Sequence, residues 1–331
     1  KQKILYISQM VARGFDSTHH YFLMDPFQLQ VPCFSEEELS QEVRMQASTF
    51  LKHSETNLPS PFNMRYTGKY PKFKLRFFGL PLSWFIKRFS EKYNNKFAYI
   101  YYQRYKTALN PIVFWLRYHL SKKYYHTPAL DRKFVYFPLH YQPEASTIVC
   151  AQKYEKQLFY IDSWAKSLPA DTVLYVKEHY ALLGNRKIAF YKELKKYPNV
   201  ILIDPLVDTF SLIQNSVAVT TLTGTAGWEA MLLRKPVFLG GRIFYENAPG
   251  VIRVDDIYGN YLRLMEQYRR PTREEVIEYL ASYMQSIRPG NVYAASPKCY
   301  EDDNMSKVAE SLLEFIKFKF SNRFDLQDDV E

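Results

Sequence analysis

The segment from Thr221 to Ala230 combines small residues with hydroxyl side chains in a pattern that suits a phosphate group. It follows an apolar stretch and opens a predicted helix, whose free backbone N–H groups and positive dipole end would face an anion. A carboxylate inside the helix could accept hydrogen bonds from ribose hydroxyls. A purely structural strand–helix turn uses similar residues, so this segment alone fixes no function. The predicted nucleotide contacts here are Thr223, Gly224, Thr225, Gly227 and Glu229.

A second polar cluster, Lys177–His179, ends another apolar stretch. Lys177 and His179 could neutralise a phosphate leaving group or donate a proton to it, and Glu178 could orient one of them. Such a cluster at a strand end is often only a surface turn. Its position in the same series of strands and helices favours nucleotide binding by Lys177 and His179, and a catalytic role for His179.

The third candidate is the loop at residues 137–147, which Pro138 and Pro143 stiffen. His140 and Gln142 are predicted nucleotide contacts, and Glu144 is a candidate catalytic carboxylate. The structural alternative is a rigid loop between domains.

Strands and helices alternate regularly after residue 131. Apolar runs predict strands at 134–137, 172–176, 200–203, 217–220 and 236–239, with helices at 152–167, 185–197, 209–215, 227–233, 272–284 and 304–320. Asp204 and Asp208 are typical of a turn and a helix N-cap. Short connections predict a parallel sheet with right-handed crossovers. The carboxyl ends of parallel strands meet at one edge, so we expect the three polar loops to converge on one nucleotide.

The N-terminal part predicts a strand at 3–8, a loop at 9–18 and a helix from about residue 35 to residue 52. Arg13, His19 and His20 are candidate acceptor-binding residues. Asp16 is the other candidate catalytic carboxylate besides Glu144. A carboxylate nucleophile would give a retaining reaction, and a base acting on the acceptor hydroxyl would give an inverting one. The residues leave both open.

The composition limits the partners. The 331 residues allow two domains, and 47% hydrophobic residues allow a sizeable core. The net charge is +10, and bases interleaved with aromatics crowd residues 65–125, where Glu91 is the only acid. Such a surface attracts an acidic glycan or an anionic membrane; the structural alternative is a solvated basic face over a small aromatic core. Nucleic acid is not expected, because no recognised binding motif accompanies the charge.

Cysteine usage and metal-ligand spacing point away from structural metals. The three cysteines are far apart and none forms a CxxC pair. There is no Asp-x-Asp motif and no His/Asp/Glu cluster at ligand spacing, so we expect a metal-independent protein without a cofactor. The sequence given has no leader-like segment and no run of 18 apolar residues, which predicts a cytoplasmic location.

Four segments, in order, resemble the bacterial capsular polysaccharide synthesis family of GT-B glycosyltransferases, which includes Kdo transferases and transferases of pseudaminic and other nonulosonic acids. The segments are Leu139–Glu144 (LHYQPE), Val176–His179 (VKEH), Thr223–Ala230 (TGTAGWEA) and Lys235–Gly241 (KPVFLGG). The resemblance covers about residues 133 to 251. It implies an α/β fold of the GT-B type, with two Rossmann-like domains and a deep interdomain cleft. The implied parts are an acceptor-binding domain at 1–130, a nucleotide-sugar-binding domain at 131–300, and a helix at 301–331 that crosses back, followed by a tail.

The resemblance also implies a function. An acidic 2-keto-3-deoxy sugar would move from its CMP-activated donor to a glycan or glycolipid acceptor, at the inner face of the inner membrane. Gln142-Pro143 and His179 look like the family's Gln-Pro and His-Pro motifs, with Tyr180 in place of the second proline. Two alternatives stay open: a UDP-sugar transferase or epimerase on the same fold, and a non-catalytic, membrane-associated capsule assembly protein.

Overall fold

The computed structural model describes residues 8–11, 20–24, 39–56, 104–179, 182–292 and 297–324. Within these ranges the strands are β1 (Ser8–Val11), β2 (His20–Met24), β3 (Phe134–Pro138), β4 (Val173–Lys177), β5 (Val200–Ile203), β6 (Ala218–Thr221), β7 (Val237–Leu239), β8 (Val251–Arg253) and β9 (Arg288–Pro289). The helices are α1 (Gln41–Thr56), α2 (Arg104–Ser121), α3 (Ala145–Ile148), α4 (Gln157–Ala165), α5 (Ile188–Leu194), α6 (Thr209–Asn215), α7 (Thr225–Leu232), α8 (Tyr261–Gln267), α9 (Arg273–Gln285) and α10 (Asp302–Phe324).

Six parallel strands form the central sheet in the order β5-β4-β3-β6-β7-β8. The chain moves outward from β3 to β5, then returns to the other side of β3 as β6. The strand order therefore reverses between β3 and β6. In open α/β sheets, ligands bind outside the carboxyl ends of the strands at such a switch point. The loops after β3 and β6 therefore lie side by side at this edge of the sheet.

Both faces of the sheet are covered, which explains why its central strands are almost entirely apolar. One core contains α1, α6, α7 and α9, and the other contains α4, α5 and α8. Successive residues of β3 alternate between the two cores: Phe134 and Tyr136 lie in the first, and Val135 and Phe137 in the second. The predicted α/β class with a parallel sheet is confirmed.

Local capping fixes where the helices begin. The Asp208 carboxylate accepts a hydrogen bond from the Ser211 amide at 2.7 Å, and this begins α6. Asp204 accepts from the Leu206 amide at 2.9 Å in the preceding turn. Both predicted structural roles are confirmed. A capping box begins α9. The Thr272 hydroxyl accepts from the Glu275 amide, and the Glu275 carboxylate accepts from the Thr272 amide.

Several predicted boundaries are wrong. The helix predicted at 152–167 divides into a 3-10 turn at Gln152–Tyr154 and α4, and the helix predicted at 185–197 shrinks to α5. The loop predicted at 9–18 begins too early, because Gln9 to Val11 pair with β2 in an antiparallel ladder. Residues 12–18 and residues 1–7 lie outside the described residues. Strands β2, β8 and β9 were not predicted.

Helices α1 and α2 belong to the part predicted as an acceptor domain, but they pack against elements of the C-terminal part. Ala47 and Leu51 of α1 are fully buried in its first core. Arg117 of α2 donates to the Asn185 carbonyl at 3.1 Å, close to α5. The boundary at residue 130, the second Rossmann-like domain and the cleft depend largely on residues outside the described ranges, and they stay predictions.

The C-terminal segment joins elements from both ends of the chain. Strand β9 pairs with β2, and Asn304 at the start of α10 bonds the backbone of Asn291 at 2.6 and 2.9 Å. Most of the basic, aromatic segment at 65–125 lies outside the described residues. No helix in the described part of the chain is long and apolar enough to cross a membrane.

Candidate nucleotide-binding site

His140 connects the two strands at the switch point. Its side chain is 7% exposed and follows β3 directly. The ring Nε2 accepts a hydrogen bond from the Thr223 amide at 3.1 Å and lies 3.1 Å from the Thr221 hydroxyl. Because that hydroxyl already accepts from the Gly224 amide at 3.0 Å, its own proton is available to Nε2. The loop after β6 is therefore held in place by a residue of the loop after β3.

The His140 ring is neutral. Burial, followed by the charges of His179 and Arg186, lowers its pKa from 6.5 to about 3. Since Nε2 accepts hydrogen bonds, the ring proton lies on Nδ1, which has no acceptor in the described part of the chain. His140 was predicted as a nucleotide contact, and the structure places it below the loop, where it positions the backbone of Thr223.

Gln157, the first residue of α4, fixes the backbone of His140 from the other side. Its side chain accepts from the His140 amide at 2.8 Å and donates to the His140 carbonyl at 3.1 Å. It also donates to the Gln142 side-chain oxygen at 2.6 Å, and the Gln142 amide group donates to the Glu155 carbonyl. The Gln142-Pro143 peptide bond is cis. Gln142 thus helps to shape the loop, and its direct contact with a nucleotide stays a prediction.

Glu144 is exposed at the start of α3. Its carboxylate accepts from the Ser146 hydroxyl at 2.9 Å, and its carbonyl accepts from the Thr147 amide at 3.0 Å. The Thr223 hydroxyl donates to the Ser146 carbonyl at 3.1 Å and so joins this short helix to the loop after β6. The predicted catalytic role of Glu144 is untested, and its carboxylate is accessible.

Helix α7 begins at this edge without a side-chain cap. Its N-cap is Gly224, and the first-turn amides of Thr225 and Ala226 have no acceptor among the residues that the structure describes. A Cβ at Gly224 would lie 2.7 Å from the Thr221 hydroxyl and 3.1 Å from His140 Nε2. A side chain here would therefore displace the Thr221 hydroxyl and press on the His140 ring. The uncapped amides and the positive helix end suit an anion.

Gly227 and Glu229 lie further along α7. Gly227 packs directly under the Tyr245 hydroxyl, which also donates to the Gly224 carbonyl, so a Cβ at Gly227 would push Tyr245 away. Gly227 therefore supports the loop by close packing. Glu229 is partly exposed, and its charge acts on Lys177.

Lys177 is the last residue of β4 and is 9% exposed. Its ammonium donates to the Val207 carbonyl at 2.6 Å and to the Thr209 hydroxyl at 2.7 Å, beside the start of α6. Burial lowers the pKa of Lys177 to about 8, although the negative charges of Asp208 and Glu229 oppose this shift. Lys177 brings positive charge to the sheet edge, on the side of the first core.

Glu178 points the other way and organises the loop after β4. It is 2% exposed and accepts hydrogen bonds from the Arg186 guanidinium at 3.0 Å, the Tyr191 hydroxyl at 2.9 Å and the His179 amide at 2.8 Å. Arg186 in turn donates to the His140 carbonyl at 2.7 Å. The sequence suggested that Glu178 orients a neighbour. It orients Arg186, a residue that the sequence did not single out.

His179 lies beside Tyr141, with ring centroids 6.0 Å apart and an interplanar angle of 74°. Burial and then the charge of Arg186 lower its pKa to about 4. At neutral pH, His179 is therefore a neutral hydrogen-bonding group and not a cation. Its predicted roles toward a phosphate stay predictions.

The predicted residues of the N-terminal half are mostly outside the described ranges. Arg13, Asp16 and His19 lie there, while His20 begins β2 opposite Pro289. Their acceptor-binding and catalytic roles stay predictions. In the described part of the chain, no group of three or more His, Cys, Asp or Glu residues could hold a metal ion. Metal independence likewise stays a prediction.

The sheet, its switch point and the polar loops above it define a doubly wound α/β domain with a candidate ligand-binding edge. Residues 119–286 match the family described as capsule polysaccharide biosynthesis protein. The chain belongs to this family, as the resemblance in the four segments predicted.

Individual relatives cover less of the chain. Capsule polysaccharide modification protein LipA of Neisseria meningitidis serogroup B is 31% identical over 115 residues, which are 35% of this chain and 16% of LipA. The Thermosulfurimonas dismutans KpsC β-Kdo 2,7 transferase is similar at 17% identity and a TM-score of 0.37, with 63% of each chain covered. The UDP-GlcNAc 2-epimerase of Methanocaldococcus jannaschii has 14% identity and a TM-score of 0.35, over 51% of this chain and 49% of that one. The chain thus spans less than two thirds of each.

Proposed function

We propose that the protein is a metal-independent glycosyltransferase of capsule or surface polysaccharide synthesis. It transfers an acidic 2-keto-3-deoxy sugar, Kdo or a nonulosonic acid such as pseudaminic acid, from a CMP-activated donor to a glycan or lipid-linked acceptor. Membership of the capsule polysaccharide biosynthesis family supports the pathway. The cytidine and the acid sugar rest on the resemblance of the four loop segments.

The observation that carries this proposal is the uncapped start of α7 at the switch point. Three contacts fix the loop before it: His140 on the Thr223 amide, Thr221 on the Gly224 amide, and Thr223 on the Ser146 carbonyl. A loop held this firmly presents the Thr225 and Ala226 amides in a fixed direction. Preorganised donors of this kind stabilise a phosphate as it gains charge on leaving.

The reaction replaces one bond at the anomeric carbon. The bond to the phosphate oxygen of the donor breaks and releases CMP, while the acceptor hydroxyl oxygen bonds to the sugar and loses its proton to a base. The start of α7 would hold the phosphate, Glu229 the ribose hydroxyls, and neutral His179 would donate a hydrogen bond. Asp16 and Glu144 are the candidate carboxylates.

The charge of the chain supports a site of action at a membrane surface. A net charge of +10, with bases concentrated in residues 65–125, favours contact with the anionic inner leaflet and with acidic acceptors. We therefore place the protein in the cytoplasm, peripheral to the inner face of the inner membrane.

Nucleotide release tests the donor directly. Purified protein is incubated with CMP-Kdo, CMP-pseudaminic acid or UDP-GlcNAc, with a glycan acceptor, and free nucleotide is measured. We expect CMP release from one of the CMP-sugars. Release from UDP-GlcNAc alone would replace the CMP-sugar proposal with the UDP-sugar alternative. A third outcome is that the purified protein releases nucleotide from none of these donors while capsule formation in the bacterium still depends on it. That result would favour the non-catalytic capsule assembly protein.

A substitution at the first position of α7 tests the phosphate site. Proline fits this position, because Gly224 before it is extended at φ −84° and ψ 155°. Thr225→Pro removes one free amide and the hydroxyl, whereas the control Thr225→Ala removes only the hydroxyl. A charge-assisted hydrogen bond contributes about 1.5–3 kcal/mol, so CMP affinity should fall about 10-fold or more in Thr225→Pro relative to Thr225→Ala. Equal affinities would exclude this amide from the site.

A further inference from the structure

Arg186 is the least expected charged residue near the site. Its side chain is 11% exposed and is held at three points. The Nε atom donates to Glu178 at 3.0 Å, the Nη2 atom donates to the His140 carbonyl at 2.7 Å, and the guanidinium lies 4.8 Å from the Phe190 ring centroid. A long side chain with this many restraints has a fixed direction.

These contacts leave part of the guanidinium unused. Of its five N–H groups, the two described bonds occupy one on Nε and one on Nη2. The two on Nη1 and the second on Nη2 have no acceptor in the described part of the chain. The unused groups form a planar fork, which matches the two oxygens of a carboxylate. The Glu178 side chain lies behind the fork and has no exposed surface. Its carboxylate therefore does not compete with a ligand that approaches Arg186 from solvent.

Arg186 also supplies positive charge that its neighbours lack. His140 and His179 are neutral at pH 7, because burial and the charge of Arg186 both disfavour their protonation. Lys177 is directed toward Val207 and the start of α6, on the other core. An anionic group between the β3 and β4 loops would therefore find its cationic partner in Arg186.

His140 separates this fork from the start of α7. Its ring bonds the Thr223 amide, and its carbonyl accepts from Arg186. The loops thus offer two anion positions on either side of one residue. In a CMP-activated 2-keto acid sugar, the phosphate ester oxygen and the carboxylate are attached to the same anomeric carbon. The donor therefore carries two anionic groups that are close neighbours.

We propose that Arg186 binds the carboxylate of the donor sugar, while the start of α7 binds its phosphate. This inference rests on the proposed function and deepens it. Arg186 becomes the residue that distinguishes an acid-sugar donor from a neutral one, with Glu178 and the His140 carbonyl as the groups that orient it. His179, close to Arg186, acts as an uncharged neighbour.

Calorimetric titration with two ligands tests the assignment. The wild-type protein, Arg186→Lys and the control Lys187→Gln are titrated with CMP and with the CMP-activated acid sugar that binds best. Arg186→Lys keeps the charge beside Glu178 but loses the planar fork. Lys187→Gln removes an exposed charge one residue away. In Arg186→Lys, we expect the affinity for the CMP-sugar to fall about 10- to 100-fold, as for a lost charged hydrogen-bond pair, and the affinity for CMP to stay within about twofold. Both affinities should be unchanged in Lys187→Gln.

A second variant covers the case in which Arg186→Lys folds poorly. The double variant Arg186→Gln with Glu178→Gln removes both buried charges together and avoids an unpaired carboxylate. Its CMP affinity reports whether the nucleotide site is intact, and it should show the same selective loss for the CMP-sugar. Equal losses of affinity for CMP and for the CMP-sugar in both variants would overturn the carboxylate assignment. They would indicate that Arg186 binds the phosphate instead. A wild-type protein that binds neither ligand would overturn the proposed function itself.

Discussion

Replacing His140 with glutamine should change how stability depends on pH. Glutamine can still accept a hydrogen bond from the Thr223 amide, but it does not titrate. Burial lowers the pKa of His140 from 6.5 to about 3 in the folded protein. Below pH 6.5, His140 therefore binds a proton in the unfolded chain but not in the folded protein. The free energy of unfolding of the wild type thus falls as the pH decreases from 6.5 toward 3.

The size of the effect follows from this window. At pH 4.5 the folded ring is still neutral. The unfolded ring is protonated, because pH 4.5 lies two units below its pKa of 6.5. At about 1.36 kcal/mol per unit, His140 alone removes about 2.7 kcal/mol from the free energy of unfolding at pH 4.5, compared with neutral pH. His179 contributes in the same direction in both proteins and cancels from the difference.

Urea unfolding of wild type and His140→Gln at several pH values from 7.5 to 4.5 measures this difference. We expect wild type to be the more stable protein at pH 7.5, and its advantage to shrink by about 2–3 kcal/mol by pH 4.5. The control is His53→Gln, because His53 is exposed on α1. It should follow wild type at every pH. Parallel curves for wild type and His140→Gln would show that His140 is not a buried neutral group.

Three further predictions concern other parts of the structure. Gly224→Ala should weaken CMP binding about 10-fold or more in calorimetry, because its Cβ would lie 2.7 Å from the Thr221 hydroxyl; unchanged affinity would contradict the close approach. Thr272→Ala should lower the free energy of unfolding by about 1 kcal/mol through loss of the capping box, whereas Thr272→Ser should not. Binding of the full chain to anionic vesicles should weaken as salt increases; equal binding to neutral vesicles would contradict an electrostatic contact.

Much of the C-terminal fold could be predicted from the sequence, because its strands are buried on both faces. Such strands are short apolar runs between helices, and runs of this kind predicted β3 to β7. Strand β8 was missed because it is an incompletely buried edge strand that ends at an exposed arginine, whereas the equally short β7 is fully buried. Strand β9 has two residues and depends on pairing with β2, a contact between distant parts of the chain that no local pattern reveals.

The site was predicted less completely, because residue type does not determine side-chain direction. The three loops meet as parallel topology requires. However, the described hydrogen bonds of His140 and Gln142 are to other parts of the protein, and Lys177 bonds beside the start of α6. Arg186 was missed because it lies between a turn and the start of α5, next to Lys187. Basic residues are common in such segments, so residue type alone did not distinguish it. A signal was present in the pairing of an acid at the end of β4 with a base eight residues later, but only the folded loop shows that they meet.

A crystal structure with CMP bound tests the central claim most directly. We predict that the phosphate accepts hydrogen bonds from the amides of Thr225 and Ala226, between the ends of β3 and β6, with the ribose near Glu229. CMP bound away from this edge, or a phosphate out of hydrogen-bond reach of the start of α7, would contradict the account.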